Sequence, residues 1–417
     1  MKISKSKTVY SFMIIIVLVA SFTRGFSSSV FGSAKNLMFA MTAISLLSMY
    51  YVIRKHIALI RIDLCWIVIL LLNIFWVHET YPIQYCFVFL GTFCLSYALR
   101  KNIDLFGLIL DCILLFSFLS VFATWMELLA PATYKALVLP LFPLETQESI
   151  LIQYNQGRMC GLAYHYSPNA FYVLDGSFVL ICKIFINNKR KTINFILLGI
   201  ELATLFAIGK RGHLLFFAIS VFIVYLFIQE NFLEKIKKSI KFTALAIVAV
   251  VFILKFVPQA SYLLERMAEQ SESGDITTGR TVLYALAIRI FFESPFFGNK
   301  IGGFRFATGM KNSGVHNDYL QMLCETGLLG FIMYVFANIW LLVATLDIRR
   351  KYWTKLPEET KKVLVFSMMF QIFVLTYSFT GLPHFDYEIN TIYLLMIAVP
   401  FAIRNKMVMS SPVCYYS

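Results

Sequence analysis

The chain has 417 residues, of which 59% are hydrophobic and 14% charged, and its 37 Lys and Arg against 23 Asp and Glu give a formal net charge of +14. Soluble domains carry about 25% charged and about 45–50% apolar residues, so this composition excludes a soluble globular enzyme and specifies an all-α polytopic membrane protein. In such a protein surplus Lys and Arg first reflect cytoplasmic loops and anionic lipid, and no nucleic-acid partner is expected. The eight cysteines are scattered through apolar runs and none forms a Cys-x-x-Cys pair, so they read as small core residues rather than disulfide or zinc ligands.

In chain order, runs of about 20 predominantly apolar residues mark spanning helices. They fall near 9–23, 36–53, 62–78, 83–99, 104–130, 163–187, 193–208, 213–229, 242–257, 316–346, 363–381 and 388–403, about twelve in all. The first follows MKISKSK and reads as a retained signal anchor, because so many spans come after it. With the N-terminus in the cytoplasm, the inside segments are KISKSK, RKHIALIR, RKNID, NNKRK, EKIKKSIK, DIRRKYWTKLPEETKK and RNK, every one basic. The outside segments HETYPIQ and TGLPHFDYE carry no Lys or Arg. Both termini are then cytoplasmic, and residues 1–417 form one integral membrane domain with a large extracytoplasmic loop over 258–315. No internal repeat supports a carrier built from two related halves, and no Walker loop, GxGxxG, HExxH or EF-hand pattern is present.

Loops as long as that insert are uncommon without a function. The candidate chemistry gathers around it. Arg158 lies in QGRMCGLAYHYSPNAF, Arg211 in the turn GKRGH, Arg280 in TTGRTVLYALAIRIFF and Arg305 in GGFRF, all on the expected outer side. Arg211 breaks the positive-inside pattern and calls for a reason. Guanidinium groups keep their charge and match phosphate oxygens bidentately, so the set could clamp a diphosphate. The plainer reading pairs each Arg with lipid phosphate or with the loop carboxylates of Glu265, Glu269, Glu272 and Asp275. His316 and Asn317 stand where the insert meets the next span. With Asn312 or Ser313 as cap they would occupy the first helical turn, where free N–H groups favour an anion. A histidine bonded to a lipid headgroup is the alternative. Gly327 falls on the face of His316 and, with Gly330, would admit another helix closely. Glu325 lies about 13 Å deeper, as a buried ion-pair partner or an orienting group for an Arg.

At these residues the chain resembles the bacterial O-antigen ligase and O-antigen or capsule polymerase superfamily of integral membrane glycosyltransferases. The resemblance rests on GRTVLYALAIRIFFESP, PFFG, GNKIGGF and HNDYLQMLCETGLLG, with His316, Asn317, Tyr319, Leu320, Glu325, Gly327 and Gly330 in the family's places, and on Arg158, Gly161 and Asn169 upstream. GKRGHLLFF stands where the family has a Ser-rich turn ending in Arg, and the serines are absent. The resemblance implies a GT-C-like fold and a metal-independent, cofactor-free transfer of glycan from undecaprenyl diphosphate to a sugar hydroxyl, at the outer face of the bacterial cytoplasmic membrane. His316 would be the base or acceptor-orienting group, with Arg211 and Arg280 on the diphosphate. Arg158, Arg305, Asn317, Tyr319 and Glu325 would bind substrate. The implied partners are the lipid-linked donor, the glycan acceptor, membrane lipid and a chain-length regulator. A repeat-unit polymerase is the leading expectation, a ligase the second, and a flippase for lipid-linked oligosaccharide the alternative of another class.

Overall fold

The computed structural model describes residues 5–57, 59–78, 83–186, 190–228, 236–237, 240, 279–309 and 314–410. Seven helices among them are long and apolar enough to cross a membrane, or eight if the pair Ser6–Phe22 and Arg24–Phe31, bent by 80°, is one span. Ile83–Leu99 and Gly212–Ile228 are shorter apolar helices. The protein is therefore an all-α polytopic membrane protein. Each expected span within the described residues falls on a helix, or at the C-terminal end on the pair Tyr387–Met396 and Val399–Ser410. The expected span near 242–257 lies outside the described residues, as do the insert carboxylates Glu265, Glu269, Glu272 and Asp275.

The chain divides into two compact units. One comprises residues 1–21, 30–112 and 283–417. In it Ala34–Arg54 packs along Ile83–Leu99, closely enough that a Cβ on Gly91 would stand 3.1 Å from the Met41 sulfur. Arg61–Phe75 packs against Asp318–Tyr352, where a Cβ on Gly330 would stand 3.3 Å from Leu72. Glu358–Tyr377 is buried along most of its length. Beneath these helices Arg100 holds Asp63 through bonds of 2.7 and 3.0 Å. Asp63 also accepts the Ile60 N–H at 2.8 Å. The guanidinium is stacked between the Tyr97 and Phe401 rings, each centroid 4.2 Å away, so the buried pair has its remaining faces covered.

The long segment Asp318–Tyr352 starts with an acid and ends with Arg349, Arg350 and Lys351, matching the helix dipole at both ends. It is interrupted at Gly327, whose backbone (φ 66°, ψ −172°) is open essentially to glycine alone. Such a break frees backbone groups, and inside a bilayer they must be paired within the protein. The loop after helix Arg280–Glu293 does this. Leu328 N–H donates to Pro295 O at 2.8 Å, Leu329 N–H to Phe296 O at 3.4 Å, and Asn299 N–H to Cys324 O at 3.0 Å. Gly298 lies 2.4 Å, measured from a Cβ placed on it, from the Glu325 carbonyl. The close partner at Gly327 is thus the PFFG loop and not the helix expected from the spacing. Gly330 is the residue that admits a helix.

The other unit comprises residues 22–29 and 113–282. Its helices Phe106–Leu129, Tyr166–Ile186 and Lys191–Ile208 are joined by polar contacts in apolar surroundings. Ser117 donates to Glu201 at 2.8 Å, Trp125 Nε1 to Thr204 at 2.9 Å, and Gly176 leaves the room that Ser117 and Glu201 fill. The short helices Pro131–Leu137 and Leu144–Asn155 bury Tyr134, Phe142 and Ile150 around Cys160.

Alanine at Gly327 should cost about 1–3 kcal/mol from backbone strain alone, and more because its Cβ would stand 2.4 Å from the Phe296 carbonyl. Gly199→Ala, whose Cβ meets nothing within 4 Å, should be neutral or slightly stabilising. Thermal unfolding of the two variants in detergent, compared with the parent, checks the contrast.

Candidate active site

In the second unit a tight turn carries Arg158. Gly161, at φ 54°, donates its N–H to the Glu127 carboxylate at 2.7 Å, and its carbonyl accepts from the Tyr134 hydroxyl at 2.7 Å. A Cβ there would stand 2.6 Å from the Asn169 side chain. Asn169 Nδ2 donates to Thr124 at 2.9 Å and to the Met159 carbonyl at 3.1 Å. Gly161 and Asn169 therefore serve as the frame of the turn, and Arg158 is what the frame presents. Its guanidinium lies 4.8 Å from the centroid of the Tyr166 ring, and the Lys210 ammonium lies 4.7 Å from the same ring. Two cations thus share one aromatic support, an arrangement the ring quadrupole stabilises and an anion would stabilise further. His165 packs on Tyr166 at 4.3 Å. Its burial, with Lys210 and Arg158 nearby, pushes the imidazole pKa down to about 3, so it adds no third charge at neutral pH. Its Nδ1 accepts the Ser167 N–H at 3.2 Å, which leaves the proton on Nε2.

Arg211 opens the helix Arg211–Ile228 directly after Lys210, and Gly209, at φ 77°, closes the preceding helix. Arg280, half-buried, opens Arg280–Glu293.

In the first unit His316 is exposed and sits at φ 55°, in the left-handed region. Asn317 caps the long helix, accepting the Leu320 N–H at 3.0 Å and donating to the Phe379 carbonyl at 3.2 Å. This corrects the expected cap: helix starts at Asp318, so His316 precedes it instead of lying in its first turn. Tyr284 O–H reaches the His316 and Phe379 carbonyls at 3.5 and 3.4 Å. Tyr319 is a strut, its hydroxyl donating to Leu375 O at 2.8 Å.

Below the turn lie buried groups. Asp318 Oδ2 accepts from the Tyr334 hydroxyl at 2.6 Å, from the Ser378 hydroxyl at 3.4 Å and from the His384 N–H at 3.4 Å. Gln321 takes the Val315 N–H at 3.0 Å and donates to Glu325 at 3.4 Å. Glu325 accepts the Phe304 N–H at 3.3 Å. It is fully enclosed, and Arg305, half-buried on the short helix Gly303–Thr308, lies within its electrostatic reach. One buried relay thus fixes both the residue before His316 and the residue before Arg305.

Residues 193–335 match the family model described as O-antigen ligase. These residues are similar to an O-antigen ligase domain. The match spans 143 of the 417 residues and supports the O-antigen ligase and polymerase superfamily for this membrane-embedded chain. The domain takes in Arg211, Arg280, Arg305, His316, Asn317, Tyr319 and Glu325, whereas Arg158 lies ahead of it. No curated protein compared with the chain matches it.

By unit, His316, Asn317, Tyr319, Glu325 and Arg305 belong to the first, and Arg158, Arg211 and Arg280 to the second. Sequence reasoning missed Lys210 and Tyr166, although the turn that singled out Arg211 contains Lys210 as well. It also missed Asp318 and His384. The signal available was an acid directly after His-Asn and a histidine in a segment expected outside and carrying no Lys or Arg.

His384 packs among Phe89, Tyr334 and Phe385, and burial lowers its pKa from 6.5 to about 4. A histidine depressed in the folded state stays neutral while the unfolded chain takes up the proton. Its contribution is therefore fully present above about pH 6.5 and lost as pH falls towards 4. Replacing it with Gln should remove roughly 3 kcal/mol of acid destabilisation over that window, read as a flatter pH dependence of the unfolding midpoint.

Proposed function

We propose that the protein is a polysaccharide polymerase. It joins undecaprenyl-diphosphate-linked repeat units of O-antigen, capsule or exopolysaccharide at the outer face of the cytoplasmic membrane, without a metal. The observation that carries this reading is the convergence of Arg158 and Lys210 on the Tyr166 ring. The pair is a fixed cationic surface suited to a leaving group that is already anionic and gains charge as it departs. Arg211 and Arg280 are the first residues of two helices, whose N-terminal dipole favours an anion.

His316 supplies the other half of the chemistry. The acceptor hydroxyl oxygen bonds to the anomeric carbon of the donor sugar while the bond from that carbon to the diphosphate oxygen breaks. The bonding pair leaves with the diphosphate, and the hydroxyl proton passes to the imidazole. An exposed histidine on a turn held from below by Asn317, Asp318 and Tyr284 is placed to meet a bulky glycan with little motion of its own. Arg305 and Asn317 lie in the same unit and would orient the acceptor.

A strain lacking the gene should accumulate single capped repeat units. Long lipid-linked polymer in that strain would instead establish a ligase, and repeat units trapped on the cytoplasmic side a carrier. Restoring the gene as His316→Ala should leave transfer down by about 10²–10⁴-fold. The double variant Arg158→Gln/Lys210→Gln should lose transfer and raise the donor concentration needed, with protein level in the membrane unchanged. Normal polymer from both variants would overturn the assignment.

A further inference from the structure

Helix Arg61–Phe75 has 15 residues, about 22 Å at about 1.5 Å per residue, whereas the hydrocarbon layer is about 30 Å thick. The chain leaves the helix before such a layer has been crossed. Non-helical backbone at that depth survives only where the protein itself pairs it. Trp76, Val77 and His78 are paired by the insert. Ile301 N–H donates to Trp76 O at 2.9 Å and His78 N–H to Ile301 O at 2.8 Å, so that Val77 and Ile301 form a parallel bridge. Trp76 Nε1 donates to Phe297 O at 3.1 Å, and the Phe306 ring stacks on His78 at 4.0 Å.

Around these bonds the surface is aromatic and open. Phe75 is 77% exposed, Phe296 66%, Phe297 65% and Phe306 61%. Leaving rings of this size in water forgoes the stabilisation that burying them would give. Leu328 and Leu329, whose amides take the Pro295 and Phe296 carbonyls, are themselves exposed on a spanning helix. The loop is therefore level with lipid-facing leucines. Lys300 Nζ stands 5.6 Å from the Trp76 ring centroid, and Trp beside a basic residue is the composition of a membrane–water boundary.

We propose that residues 295–306 are an interfacial foot. Phe296, Phe297 and Phe306 are immersed at the edge of the hydrocarbon, Lys300 lies among the phospholipid phosphates, and the partner of this surface is the bilayer. This part of the extracytoplasmic loop is then its membrane anchor, and it grips the break at Gly327. The inference is independent of the reaction proposed above.

The full-length protein in nanodiscs of phosphatidylcholine and phosphatidylglycerol, free of lipid-linked glycan, provides the test. A nitroxide at Phe297→Cys in a cysteine-free background should be relaxed more strongly by oxygen than by a water-soluble nickel chelate. The reverse order overturns the foot, as does immersion that appears only when lipid-linked glycan is added. Where the cysteine-free chain fails to assemble, brominated lipid decides with native cysteines. The parent should lose more fluorescence to it than Trp76→Phe does, and equal losses overturn the proposal.

Discussion

A helix that breaks inside a membrane needs another part of the chain to take up the backbone groups it releases. In this protein the break is at Gly327 and the answer is the loop Pro295–Asn299, threaded so close that neither Gly298 nor Gly327 has room for a side chain. Much of the first unit follows from that contact. It fixes where Glu325 ends its helical turn, and Glu325 fixes Phe304 and, through Gln321, Val315. The Pro-x-Phe-Gly and Gly-Leu-Leu-Gly strings are thus two halves of one joint.

The two units hold their functional charges by different means. Around His316 the supports are buried hydrogen bonds: one carboxylate oxygen that accepts from two hydroxyls and an amide, and a carboxamide relay. In a low-dielectric interior such bonds are strong and hold their members in place, which suits the base role proposed for His316. Around Arg158 the support is an aromatic face, shared with Lys210. The diphosphate proposed as leaving group needs charge more than exact aim, and the looser support fits that proposal.

The spans among the described residues were legible because hydrophobic length is a local property, and the motif strings drew attention to the loops around Gly161 and Gly327. The details that failed are those set by contacts far apart in sequence. The partner of Gly327 is about thirty residues upstream, and spacing along one helix could not say whether a helix or a loop would come. The cap passed to Asn317 because its side chain also reaches the Phe379 carbonyl, a contact across 62 residues. Lys210 was overlooked because its role comes from sharing Tyr166 with Arg158, and nothing local in GKRGH encodes that. Asp318 gained its partners from Tyr334, Ser378 and His384, on segments that only the fold brings together.

His316 occupies a backbone region that few residues other than glycine, asparagine and aspartate enter readily. Any residue placed there inherits that torsional demand, so an alanine exchange removes an imidazole and also perturbs the conformation of the turn. Glycine or asparagine would keep the peptide path while deleting the ring. Differences among the three replacements would then separate what the heterocycle does from what its unusual torsion requires.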